Sequence, residues 1–240
     1  MLPRFFYAEL ALADKEITLP EALAHHAERV LRLRPGQRVV LFDGEGREAQ
    51  AELLRLGRDP CARIKSVCEV DRETPLRLTL VQALATGDKM DWIVQKAVEL
   101  GISSLQPVAA ERSVLRLEGI RAVKRIEHWQ QIAVAAAEQS GRNRLMTIAP
   151  VMSLSQCLSV SCGTPRWALL PSDGTRLSAM PAPREPVALL IGPEGGWSER
   201  EVMAMLAAGC QGVTLGPRVL RTETAGLAAA AAMQALWGDF

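Results

Sequence analysis

At 240 residues the chain is long enough for one large domain or for a small one followed by a medium one, and a composition of 48% hydrophobic and 23% charged residues excludes a dominant disordered segment. The formal net charge of +1 excludes a strongly basic tail of the kind that coats nucleic acid, so any nucleic-acid face must come from local clustering. The five cysteines, Cys61, Cys68, Cys157, Cys162 and Cys210, are odd in number and show no CxxC pair, which fits a reducing cytoplasm, and His25, His26 and His128 are scattered structural or surface residues, so no metal is implied.

The chain opens on an extended run over residues 4–9, where Glu9 and Asp14 interrupt the apolar stretch before it reaches signal-peptide length. A short strand over 17–19, a helix over 21–31 and a strand over 37–42 follow. Asp43-Gly44-Glu45-Gly46 then reads as the turn of a hairpin whose second strand covers 48–54. This part is small and mostly β. The polar run Asp71-Arg72-Glu73-Thr74 ends in Pro75 and marks a domain boundary.

Beyond it the rhythm changes. A strand over 76–84, an amphipathic helix over 88–100 closed by Gly101, a strand over 104–108 and a long helix over 119–139 come in turn. Strands over 167–170 and 187–191, a helix over 198–208, a strand over 212–215 and a last, alanine-rich helix over 222–236 complete the pattern. Alternation of this kind predicts an α/β fold with a parallel sheet whose ligands sit beyond the carboxyl ends of the strands. The longest late apolar run, 227–233, is far too short for a membrane span.

Two loops carry the chemistry. The apolar strand ending at Ile191 stops at Gly192-Pro193-Glu194-Gly195-Gly196, where three glycines let backbone amides approach a ligand and Pro193 stiffens the turn. It is neither a GxxxxGK[ST] nor a GxGxxG loop, so phosphate-loop and dinucleotide chemistry are excluded. A plain connector explains Ser198 and Glu201 as a capping box but leaves the glycine and proline density unexplained. The second loop, Leu215-Gly216-Pro217-Arg218-Val219-Leu220-Arg221-Thr222-Glu223-Thr224-Ala225, has the same layout. Thr222 or Thr224 is expected to cap the last helix, Glu223 suits the dipole of its first turn, and Arg218 with Arg221 is suited to an anionic partner.

Together, IGPEGGWSEREV and LGPRVLRTETA resemble the knotted SPOUT methyltransferases, and specifically the RsmE family, which methylates N3 of a uridine in 16S ribosomal RNA. Lys89 with Gln95-Lys96-Ala97-Val98-Glu99-Leu100-Gly101, Glu111-Arg112-Ser113, Trp129 with Ala137-Glu138-Gln139-Ser140-Gly141-Arg142, and Arg4-Phe5-Phe6 are similar to that family's signatures and occur in its order. The segment Val39-Val40-Leu41-Phe42-Asp43-Gly44 resembles its PUA-like domain. Trp197, and Arg142-Asn143-Arg144-Leu145 without a following proline, depart from the pattern, and both are expected to lie clear of the cofactor loops.

The resemblance implies a PUA-like RNA-binding β-barrel over residues 1–72 and a SPOUT domain with a deep trefoil knot over 73–240, in a cytoplasmic homodimer acting on 16S ribosomal RNA of the small subunit. It implies S-adenosylmethionine as cofactor, held by Leu170, Ile191, Gly192, Pro193, Glu194, Gly195, Gly196, Leu215, Gly216, Val219, Leu220, Thr222, Glu223 and Ala225. Catalytic candidates are Glu194 as proton acceptor and Arg221 or Arg218 as stabiliser of charge on the uracil oxygens; structurally, Glu194 would instead bond loop amides and the arginines would brace the knot. Arg112, Arg142, Arg144 and Lys89 are expected along an RNA phosphate path, extended by Arg4, Arg29, Arg32 and Arg34. A ribose 2′-hydroxyl methyltransferase and a non-catalytic RNA-binding protein are the alternatives; the hairpin segment and RTETA disfavour the first, and the intact loop glycines disfavour the second.

Overall fold

The computed structural model describes residues 2–10, 13–160, 163–172 and 174–240, and Cys162 lies outside them. The chain forms two compact units, one of residues 1–73 with 137–145 and one of residues 74–136 with 146–240.

The first unit is a five-stranded sheet. β1 (Arg4–Phe6) runs parallel to β3 (Arg38–Phe42), β3 pairs antiparallel with β4 (Arg47–Arg55), β4 with β5 (Cys61–Glu69), and β5 with the short β2 (Glu16–Thr18). The expected hairpin is present, and its turn is made by Asp43. That side chain is 5% exposed and accepts from the backbone N–H groups of Glu45 and Arg47 at 2.8 and 3.0 Å, while Gly44 and Gly46 take positive φ.

β5 was not among the expected elements. Register shifts in its pairing with β4 interrupt the period of two, and its outer face carries Lys65, Ser66 and Glu69, so no clean alternation announces it. The helix expected over 21–31 is α1 (Glu21–His25) running directly into a π-helical turn, His26–Val30, which closes with Leu31 N–H on the His26 carbonyl at 3.1 Å.

Phe5, Val39, Leu41, Leu53 and Ile64 form the core of this unit. Residues 137–145 join it through Phe6 N–H on Glu138 Oε1 at 2.9 Å and Leu145 N–H on the Gly44 carbonyl at 3.1 Å.

The second unit is a parallel sheet. Its order is β11 (Thr175–Arg176), β13 (Gln211–Thr214), β10 (Arg166–Leu169), β12 (Val187–Ile191), β6 (Leu78–Ala83), β7 (Ser104–Ala109) and β8 (Thr147–Ile148), with β9 (Met152–Ser153) also on β7. The helices are α2 (Lys89–Glu99), α3 (Gly119–Ser140), α4 (Leu154–Ser159), α5 (Glu199–Ala207) and α6 (Thr222–Trp237). The expected parallel α/β architecture is therefore observed. β8, β9 and β11 went unanticipated because two residues carry no periodicity.

β12 is buried at every residue, as a central parallel strand covered on both faces should be. On one face α6 packs closely: a Cβ at Gly226 would stand 3.1 Å from Ile191 and 3.2 Å from Leu80, so the small residues of this helix let its axis approach the sheet. On the other, Val81, Val108, Leu190, Trp197 and Met205 share a core. The capping box predicted for α5 is present, with Ser198 Oγ accepting from Glu201 N–H at 3.1 Å and Glu201 Oε2 accepting from Ser198 N–H at 2.9 Å. The cap predicted for α6 is not: Arg221 is its N-cap and neither threonine caps it, because the Thr222 hydroxyl is engaged elsewhere.

Candidate functional site

β10, β12 and β13 end side by side, and their carboxyl ends open into a cleft of about 560 Å³. That is the size range of small-molecule sites, at the edge of the sheet where such sites form in parallel α/β folds. Every residue expected at the cofactor, from Leu170 through the two loops to Ala225, lies on its wall, together with Arg218 and Arg221. Lys89, Leu169, Pro171, Trp197 and Thr214 also line it and had not been placed there. Of these, Leu169 and Thr214 follow from the strand-end geometry, whereas Lys89 arrives from α2, more than 70 residues away in sequence.

The first loop is built close to its neighbours. A Cβ at Gly192 would come within 3.3 Å of Trp197 backbone and indole nitrogens, and one at Gly195 within 3.1 Å of Arg112. Gly196 and Gly216 have φ of +68° and +133°, conformations that favour glycine, and both face open space where a ligand can meet bare backbone. Trp197, expected clear of the cofactor loops, instead packs its buried indole against Gly192 and lines the cleft, a correction that follows from the tight turn into α5.

A buried polar brace ties the two loops together. The Thr222 hydroxyl, at the start of α6, donates to the Gly192 carbonyl at 2.5 Å and accepts from Gln82 Nε2 at 2.9 Å, and Gln82 is fully buried on β6. Gln82 carries no motif, and only the strand order shows that it lies beneath both loops.

Glu194 is anchored rather than free. Its Oε1 accepts from Thr86 N–H at 2.9 Å, Thr86 Oγ1 at 2.7 Å and Lys89 Nζ at 2.9 Å. Burial pushes its pKa up, but these donors outweigh it and hold the carboxyl at about 2. A group so acidic, with three donors on one of its oxygens, is a poor base near neutrality, so the expected role of proton acceptor sits poorly with its surroundings. Arg218 and Arg221 are exposed, and no hydrogen bond or ion pair engages their side chains among the described residues, as an anion-binding role requires.

The arginines expected along an RNA path divide. Arg4 is an internal brace: its side chain is 7% exposed, bonded to Glu48 at 2.9 Å and laid over Phe42 at 5.2 Å. Arg142 is buried and paired with Glu73. Arg112 donates to the Gly195 and Trp197 carbonyls, and Lys89 is tied to Glu194. The first two are corrections, because desolvated, paired guanidiniums cannot track phosphates; Arg29, Arg32, Arg34 and Arg144 remain exposed. Among the described residues no group of His, Cys, Asp or Glu is arranged to hold a metal, and no helix is long and apolar enough to cross a membrane.

Residues 72–234 match the family model for an RNA methyltransferase domain, and residues 19–64 that for an RNA methyltransferase PUA domain. The chain is 34% identical over 243 residues to the ribosomal RNA small subunit methyltransferase E of Synechocystis, covering 98% of this chain and 78% of that protein. It is 36% identical over 222 residues to the protein of the same name from Bacillus subtilis, covering 87% and 86%. A crystal structure of the Neisseria gonorrhoeae protein of that name, bound to S-adenosyl methionine, superposes with a TM-score of 0.93 at 40% identity and full coverage of both chains.

Proposed function

The chain belongs to the ribosomal RNA small subunit methyltransferase E family, and from that premise we propose that it transfers a methyl group from S-adenosylmethionine to N3 of a uridine in 16S ribosomal RNA. The observation that carries this is the backbone-lined cleft between 191–196 and 215–225, sized and glycine-lined for a small cofactor. Bound there, S-adenosylmethionine supplies an electrophilic methyl group on a sulfonium.

The residues present fit that group. Gly192, Gly195, Gly196 and Gly216 leave backbone exposed where side chains would fill the space, and the Thr222 brace holds the two loops at a fixed separation. Glu194 sets the first loop against α2 through Thr86 and Lys89. Alignment accounts for much of the rate in such a transfer. The uracil must be unpaired to present N3, and negative charge that develops on its oxygens as the N3 proton leaves is met by Arg221 and Arg218.

In the same reading residues 1–72 are the RNA-binding domain and residues 73–240 the methyltransferase domain. That reading also gives the C-terminal region a deep trefoil knot, on the likeness of its two loops to the knotted methyltransferases. The working form is a cytoplasmic homodimer on the small subunit.

Labelled S-adenosylmethionine, incubated with the protein and either small ribosomal subunits lacking base methylation or bulk transfer RNA, should yield 3-methyluridine from the subunits alone. Label on ribose, or none, overturns the reading.

A further inference from the structure

Two carboxylates line the cleft, and they differ in what holds them. Glu194 receives three donors on its Oε1. Glu223, in the first turn of α6, accepts no hydrogen bond among the described residues: its Oε2 is buried without a partner, and Lys89 Nζ stands 3.9 Å away with its own bond made to Glu194. The side chain is 19% exposed. A carboxylate oxygen withdrawn from water with no hydrogen-bond donor, only the Lys89 ammonium at 3.9 Å, is costly, and that cost is recovered when a ligand brings a donor.

Resting on the uracil-N3 reading above, we propose that this donor is the N3–H of the target uracil and that Glu223, which the resemblance set among the cofactor-holding residues, serves instead as the proton acceptor of the methylation. Uracil presents one N–H on its pairing edge between two carbonyl oxygens. Glu223 supplies the acceptor for the first, and the unpaired Arg218 and Arg221 on the same cleft supply donors for the others. Cytosine puts a lone pair at N3 and would set it against the carboxylate, so the same residue selects uracil over cytosine.

In the step, the N3–H bond breaks and its proton passes to a Glu223 oxygen. The electron pair of that bond forms the new bond from N3 to the methyl carbon, and the bond from that carbon to sulfur breaks with its pair left on sulfur, cancelling the sulfonium charge.

The test compares wild type with Glu223→Gln and Glu223→Asp in the full chain. Cofactor dissociation constants come from calorimetry, and turnover at saturating cofactor is followed from pH 6 to pH 9.5. The other charged groups facing the cleft, Lys89, Glu194, Arg218 and Arg221, are common to all three proteins. For Glu223→Gln we expect cofactor affinity within about threefold of wild type and turnover lower by about 100-fold at neutral pH, the deficit narrowing as pH rises and uracil loses its N3 proton to solvent. Glu223→Asp should recover part of the rate with a wild-type-shaped profile. Independently of folding in the variants, wild type should bind an RNA with cytosine at the target about tenfold more weakly than one with uracil.

A deficit constant with pH, a loss of cofactor affinity matching the loss of rate, or equal binding of the two RNAs overturns the assignment. Failure of wild type to methylate any uracil instead refutes the reading on which it rests.

Discussion

Replacing Thr222 by Val keeps the shape of a residue that is 6% exposed and removes only its hydroxyl. Two hydrogen bonds go with it, the 2.5 Å donation to the Gly192 carbonyl and the 2.9 Å bond received from Gln82 Nε2. Gln82 retains its bond to the Ala83 carbonyl, but its Oε1 already lacks a partner, so the substitution deepens an existing shortfall in a fully buried side chain. Leaving a buried polar group unsatisfied costs about 1–3 kcal/mol; with Gln82 Nε2, which keeps its Ala83 bond, counted at the low end, the pair comes to roughly 2–4 kcal/mol and a fall in Tm of roughly 5–15 °C for the second unit.

The Gly192 carbonyl would no longer be fixed to α6, so part of the ordering of the loop passes to the binding step. We expect S-adenosylmethionine affinity to fall by about 10-fold, on the order of 1.4 kcal/mol. Scanning calorimetry and binding calorimetry measure the two effects, with Thr222→Ser as control, since it keeps the hydroxyl and loses one methyl group. The reasoning is refuted if Thr222→Val melts within about 2 °C of wild type, or if Thr222→Ser falls as far.

Glu194→Gln should weaken cofactor binding by about fivefold, because Lys89 loses its partner, yet leave turnover at saturating cofactor within a few-fold of wild type; a collapse in turnover would restore Glu194 as the proton acceptor. Arg221→Ala should cut turnover by about 100-fold, the scale of a lost charge stabiliser, with calorimetric cofactor affinity nearly intact, and an unchanged rate would remove Arg221 from the chemistry. Glu48 has a pKa held at about 2, first by the hydrogen bond from Arg72 and then, against the upward push of burial, by Arg4 and Asn143. Its folded pKa lies below the ordinary carboxylate value of 4.5, so its stabilisation is present above about pH 4.5 and lost as pH falls toward 2. Acid titration of the first unit should therefore show a loss of up to about 3 kcal/mol across that window, and Glu48→Gln should show a flatter curve.

Much of the second unit was legible from residues alone. Continuous apolar runs such as 187–191, the capping box of Ser198 and Glu201, and glycine clusters at strand ends are local devices, set by side-chain size and backbone freedom within a few residues. They placed the strands, the helices and the two loops, and the loops carried the resemblance that pointed to methyl transfer. β5 escaped because a register shift broke its alternation, and β8, β9 and β11 because a period cannot be read from two residues.

What tertiary structure decided is the state of each polar side chain. Arg4 and Arg142 look like any other surface arginines in sequence, and only folding shows them desolvated against Glu48 and Glu73. Glu194 and Glu223 are both glutamates on cofactor loops, yet one receives hydrogen bonds from Thr86 and Lys89, more than 100 residues away, while the other has only the Lys89 ammonium at 3.9 Å and no hydrogen bond among the described residues. Gln82 has no motif and becomes part of the site solely because β6 lies beside β12. The chemistry a residue can perform depends on burial and on donors brought from distant segments, and local sequence specifies neither.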